Sequence, residues 1–245
     1  MSGDWMTPSW PAPAGVCAMS TTRAGGVSPP PYDSLNLGSA VEDAPEHVEE
    51  NRRRLQQQAG MPRQPLWLRQ VHGRRVVAAH DAVDGVEADA AWTDRPGVPC
   101  AVLTADCLPV LFCDRAGTRV AAAHAGWRGL AGGVLEATVD ALAVDSAQVL
   151  AWLGPAIGPD VFEVGEEVRE RFLALDPGAS AAFRPSPDGR WLADLYRLAR
   201  RRLNGLGVKE VRGGGLCTYT DSRRFFSYRR DGATGRMATV IWLKP

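Results

Sequence analysis

Histidine is scarce in this chain: His47, His72, His80 and His124 are the only four among 245 residues. Two of them stand where an apolar run gives out into glycine, in LWLRQVHG (66–73) and VAAAHAGWRG (120–129). A thiol stands at a comparable break: VPCAVLTADCLPVLFCD (98–114) is interrupted around Thr104-Ala105-Asp106, with Cys107 beside the break and Pro109 just after it. Strand ends that meet on one rim build a site from residues distant in sequence. Two imidazoles and a thiolate suit Zn²⁺, and three protein ligands leave a fourth position for water or substrate. A tetrahedral site requires the donor atoms of His72, Cys107 and His124 to lie within about 4 Å of one another.

The spacing alone leaves other readings open. From His72 to Cys107 is 35 residues and from there to His124 is 17, which matches no compact metal motif. Cys107 also reads as a small core hydrophobe, a strand-end histidine as a hydrogen-bonded structural residue, and Cys107 with His124 as a nucleophile–base pair needing no metal. Arg128 begins a predicted helix, where free N–H groups favour an anion and a guanidinium adds a bidentate donor; equally, it can cover Trp127. His47 reads as solvated, His80 (in VVAAHDAVDG) as a surface residue, and Cys17, Cys100, Cys113 and Cys217 as packing residues.

The elements that must position these groups follow from periodicity. Residues 44–59 read as an exposed helix, 66–73 as a strand ending at His72, and 98–114 as a buried strand with an irregularity at Cys107. RVAAAHAG is a buried strand of small residues, and 129–144 has helical apolar spacing at Leu130, Val134, Leu135, Val139 and Leu142. Next come a strand at 148–158, a strand and helix over 160–175, a helix over 193–207, and a closing hairpin over 225–243 with Asp231-Gly232 near its turn. The pattern predicts a single α/β domain over 1–245, α+β-like, with mixed β-sheets flanked by helices and the site at converging strand ends.

Bulk properties exclude some classes. Lys+Arg and Asp+Glu both total 28, so the chain has no basic excess for nucleic acid. No apolar stretch approaches the ~20 residues of a membrane span. MSGDWMTPSWPAPAG lacks the pattern of a secretory signal. Five cysteines, an odd number, suggest reduced thiols in a cytoplasm and no disulfide.

QVHG (70–73), ADAAWTD (88–94), LTADCLPVLF (103–112), HAGWRG (124–129), GPAIGPDVFEVG (154–165) and FFSYRRDGATGRMA (225–238), with TTRAGGVS (21–28) and SLNLG (34–38), together resemble the YfiH family, also called the laccase-domain or polyphenol-oxidase family. The resemblance implies one zinc held by His72, Cys107 and His124. It also implies phosphorolysis of adenosine, inosine and S-methyl-5'-thioadenosine, with hydrolytic deamination of adenosine. On that reading Asp106 is a proton carrier or a support for the thiolate, Arg128 or Arg23 holds phosphate, and Asn36 and Gln70 join the substrate-binding set. The partners are then a nucleoside and phosphate. The alternatives are copper-dependent phenol oxidation, a metal-free Cys/His hydrolase editing peptidoglycan precursors, and a binding protein with a structural zinc.

Overall fold

Alanine-rich VAAAHA is buried on both faces because two layers close on it. The structure, a computed structural model, describes residues 5–245, with Asp188 described by its backbone alone. The signal-sequence reading of the N-terminus falls partly on residues 1–4, outside the described residues. In chain order the elements are β1 (Val16–Ser20), α1 (Pro45–Ala59), β2 (Val76–Ala78), β3 (Ala90–Thr93), β4 (Cys100–Thr104), β5 (Leu108–Asp114), β6 (Val120–Ala125), α2 (Trp127–Gly132), α3 (Val134–Leu142), β7 (Val149–Leu153), β8 (Glu163–Val164), α4 (Glu166–Leu173), β9 (Phe183–Pro185), β10 (Trp191–Ala193), α5 (Leu195–Gly205), β11 (Glu210–Gly213), α6 (Tyr228–Asp231) and β12 (Met237–Leu243).

A six-stranded mixed sheet runs β11-β7-β5-β6-β3-β2, and a three-stranded antiparallel sheet runs β1-β12-β4. A small sheet, β8-β10-β9, lies apart from both. Alternation along β6 divides its side chains between two cores. Ala121, Ala123 and Ala125 pack with the residues of α2, α3, α4 and α5. Val120 and Ala122 face the other way, against Val102 of β4 and Ile241 and Leu243 of β12. α1 covers the outer face of the smaller sheet, where Leu55 packs with Ala101, Val240 and Trp242. This confirms the mixed α/β architecture with helices flanking the sheets. No helix among the described residues is long and apolar enough to cross a membrane.

Four expected elements differ. Residues 66–73 form no regular strand, only bridges at Leu66–Cys100 and Arg69–Glu87. Side chains take the place of a ladder there. Gln70 donates to the Leu103 carbonyl at 2.8 Å and accepts from its N–H at 2.7 Å. The run 98–114 is two strands in two different sheets, β4 and β5, and Cys107 lies in the corner between them. The helix over 129–144 is broken at Gly133, whose φ of 93° is left-handed. The closing hairpin is absent: 225–236 turns through α6, and β12 pairs with β1 and β4 instead. Arg230 holds that turn, donating to the carbonyls of Thr218, Tyr219 and Phe225. His80, expected at the surface, has a side chain only 9% exposed, stacks edge-on against Trp92 and bonds Thr93.

Candidate metal centre

Three segments deliver the three expected ligands. His124 comes at the end of β6, paired with Pro109 of β5. Cys107 sits at the β4–β5 corner, and His72 on the loop before β2. One donor atom from each lies within 4.8 Å of the others, a little wider than the roughly 4 Å expected of a bound tetrahedral site, with Cys107 Sγ 3.7 Å from His72 Nε2. The imidazoles meet edge-on, centroids 4.7 Å apart. His124 is buried, Cys107 half-buried and His72 exposed, so the cluster opens to solvent on the His72 side.

A buried carboxylate that sequence reasoning missed organises two of the ligands. Asp89 Oδ1 accepts from His124 Nδ1 at 2.8 Å and from the His72 N–H at 2.9 Å. Its Oδ2 accepts from the N–H groups of Gly73 (2.7 Å) and Val71 (3.3 Å). The first contact fixes the His124 ring and leaves Nε2 toward the cluster, as carboxylate–histidine pairs do in metal sites. The others hold the loop at His72, whose φ of 60° is left-handed. ADAAWTD drew notice as a motif; the available signal in it was an acid just ahead of a buried strand. Burial alone would raise the Asp89 pKa, but its hydrogen bonds and the His124 charge outweigh that and lower it.

Cys107 and His124 are coupled in the same way. Burial disfavours the thiolate, yet His124 and His72 override it and bring Cys107 down to about 6. Burial also disfavours the imidazolium, and the Cys107 thiolate with Asp89 raises His124 to about 9.

Gly126 closes the site from behind. A methyl there would lie 2.7 Å from His72 Cδ2 and 2.9 Å from Cys107 Sγ. The glycine after the β6 histidine therefore lets the backbone pass directly behind two ligands.

The other expected site residues are placed as follows. Asp106, with φ of 94°, spends its carboxylate on Thr218 Oγ1 (2.6 Å) and the Arg229 N–H (2.7 Å), fixing the corner that carries Cys107. Arg128 is exposed and stacks on Trp127, 4.4 Å from its centroid, at the start of a six-residue helix. Arg23 is committed to Asp33 and to the Ser222 carbonyl. Gln70 is spent on Leu103. Asn36 is fully buried: Oδ1 accepts from the N–H groups of Gly38 and Arg236, and Nδ2 donates to the Gly38 carbonyl and Asp43. Gln70 and Asn36 thus act on neighbouring backbone. All five cysteines are free.

Comparison with known proteins places this arrangement in context. The family model described as multi-copper polyphenol oxidoreductase laccase matches residues 17–244. A purine nucleoside phosphorylase of Pseudomonas aeruginosa is 60% identical over 241 residues, covering 98% of each chain. The purine nucleoside phosphorylase YfiH of Escherichia coli is 59% identical over 239 residues, covering 97% of this chain and 98% of its own. A solved Neisseria meningitidis protein of the DUF152 family superposes with a TM-score of 0.96 at 54% identity, over 99% of this chain and 100% of the other. YlmD of Geobacillus stearothermophilus superposes with a TM-score of 0.87 at 33% identity, over 95% and 93%.

Proposed function

The chain belongs to the multi-copper polyphenol oxidoreductase laccase family, whose model spans residues 17–244, and from that premise we propose that it is a zinc-dependent purine nucleoside phosphorylase. Its substrates are adenosine, inosine and S-methyl-5'-thioadenosine, and it also deaminates adenosine hydrolytically. The observation that carries the metal is the cluster of His72, Cys107 and His124, with donor atoms within 4.8 Å. Relatives named purine nucleoside phosphorylase at 60% and 59% identity support the reaction.

The residues fit a metal on three counts. The donor set of two nitrogens and a sulfur suits zinc. Asp89 orients one imidazole, and Gly126 leaves space for the others' close approach. His₂Cys also binds copper. Against multi-copper oxidation, this is the one group of three or more potential ligands among the described residues. When bound, the metal supplies Lewis acidity at the open face of the cluster.

The chain's own groups do the rest. Asp89 keeps His124 in one tautomer and holds the His72 loop. Asp106 fixes the Cys107 corner through Thr218 and Arg229. Arg128 on the rim offers charge to phosphate. The five free cysteines agree with a reducing cytoplasm.

One observation favours a second reading. Cys107 and His124 bring donor atoms within 4.8 Å of each other, and their mutual charge lowers the thiol and raises the imidazole, the arrangement a cysteine hydrolase would use. Metal content by mass spectrometry, run beside product analysis with adenosine and phosphate, separates the two. Phosphate-dependent release of adenine with about one zinc per chain is expected. Adenosine left uncleaved in phosphate, by metal-free protein whose Cys107 reacts with iodoacetamide, would overturn the phosphorylase reading.

A further inference from the structure

Arg236 is a basic residue close enough to Cys107 and Asp106 to feel their charge, and only one nitrogen of its guanidinium is hydrogen-bonded among the described residues. The β12–β4 register pairs Met237 with Thr104, so Arg236 follows that ladder to the point where the chain turns toward Asp106 and Cys107. Its N–H is pinned to Asn36 Oδ1 at 2.9 Å. Its stem runs against Gly38, where a methyl would come within 2.7 Å of Arg236 Cγ. Its Nη1 donates to the carbonyls of Thr234 (2.8 Å) and Gly235 (3.0 Å), and its guanidinium lies 5.9 Å from the centroid of Tyr228. Tyr228 is 62% exposed and immediately precedes Arg229, whose N–H holds Asp106.

Against this support stands a missing partner. Among the described residues, Nε and Nη2 of Arg236 have no hydrogen-bond partner and no carboxylate lies within ion-pair distance. Arg23 by contrast is paired with Asp33, and Arg230 with Asp231. Burial outweighs the charges of Cys107 and Asp106, which favour the cation, and lowers the pKa of Arg236, so this half-buried guanidinium keeps charge that an added anion can meet. A guanidinium with one nitrogen tied back and the Nε–Nη2 edge free presents the two parallel donors that match an oxyanion.

We propose that Arg236 is the residue that holds the phosphate co-substrate, receiving two of its oxygens on the Nε–Nη2 edge beside Cys107 and Asp106. Arg128, exposed on the rim, then adds charge that solvent screens, and Arg236 gives the bidentate grip. Asn36 acts as a positioning residue, since its carbonyl fixes the Arg236 backbone. This rests on the phosphorylase reading above.

The test is inorganic phosphate binding to the metal-loaded protein, measured by calorimetry, for the parent, Arg236→Gln and Arg236→Lys. Loss of a charge-assisted bidentate contact weakens binding by about ten- to hundredfold. Arg236→Gln should show that loss with metal content and the KM for nucleoside unchanged, and Arg236→Lys should fall between, keeping charge without the fork. Parental phosphate affinity in folded Arg236→Gln overturns the proposal, as does a parent that binds no phosphate. If Arg236→Gln fails to fold, Arg236→Lys decides alone: parental affinity there overturns it. A parent that binds phosphate through Arg236 but cleaves no nucleoside sinks the phosphorylase reading and leaves this assignment standing.

Discussion

At the scale of single residues, the site depends on side chains and on spaces kept clear for them. Gly126→Ala places a methyl within 2.7 Å of His72 Cδ2 and 2.9 Å of Cys107 Sγ. The imidazole is exposed and can swing aside, so the fold should survive while the donors separate. Metal affinity should drop about ten- to hundredfold, the effect of disturbing groups around a ligand set; a chelator competition giving parental affinity would refute this. Asp89→Ala should do similar damage for another reason, since it frees the His124 ring and leaves three N–H groups of the His72 loop without their acceptor. Arg128→Ala should raise the KM for phosphate by no more than about fivefold, the size of an exposed, screened charge contact. If the arginine only covers Trp127, a lower Tm with unchanged phosphate kinetics will show it. His72 and His124 were legible as candidates because each ends an apolar run, and Cys107 because it stands at a break in one; the resemblance to the YfiH family then chose the metal among the readings left open. Asp89 was not, because its function lies in contacts with residues 71–73 and 124, which only the folded chain brings together.

At the scale of elements, the same contrast separates what the sequence announced from what it hid. α1 and β6 were readable because their residues carry their own pattern: charged and helix-favouring side chains in one, small apolar ones in the other. The segment 66–73 and the 225–243 hairpin were misread because their contacts run between side chains and backbone far along the chain: Asp89 takes the N–H groups of 71–73, Gln70 pairs with Leu103, and Arg230 reaches the carbonyls of Thr218 and Tyr219, and such pairings leave no periodic trace. The approach to α1 shows how strongly one side chain can organise an element. Asp43, its side chain 1% exposed, accepts from Ser28, Asn36, the Ala44 N–H and His47. Burial raises its pKa, but those four contacts outweigh it and the net shift is downward. A lowered carboxylate pKa adds stability that is complete above the unfolded value of about 3.9 and disappears as pH falls through the folded value. Asp43→Ala should therefore cost about 1–3 kcal/mol near pH 7, with the gap from the parent narrowing as pH drops below about 4. Urea unfolding at several pH values will measure it; a gap independent of pH would show that Asp43 acts through packing alone.

At the scale of the whole molecule, the metal ligands tie together parts of the chain that the sheets do not join directly. His72 lies on a loop with only isolated bridges around it, Cys107 at the corner where the chain leaves the three-stranded sheet for the six-stranded one, and His124 at the end of a central strand of the latter. A metal bound by all three links the loop and both sheets, and it binds the native state alone because the ligands are 35 and 17 residues apart in the unfolded chain. Ligand binding to the native state stabilises by RT ln(1 + [L]/Kd), about 4 kcal/mol at a thousandfold excess over Kd. For a chain of this length each kcal/mol moves Tm by about 2–4 °C. Stripping the metal should thus lower Tm by roughly 8–16 °C under such conditions, and adding zinc back should restore it. Cys107→Ser, which removes the thiolate donor, should start near the stripped Tm and respond little to zinc. The metal-free hydrolase reading forecasts the opposite: a chelator leaves Tm where it was, and iodoacetamide modifies Cys107 equally with or without added zinc. A parent whose bound metal falls to zero in the chelator with no change in Tm would remove the metal from the fold's stability.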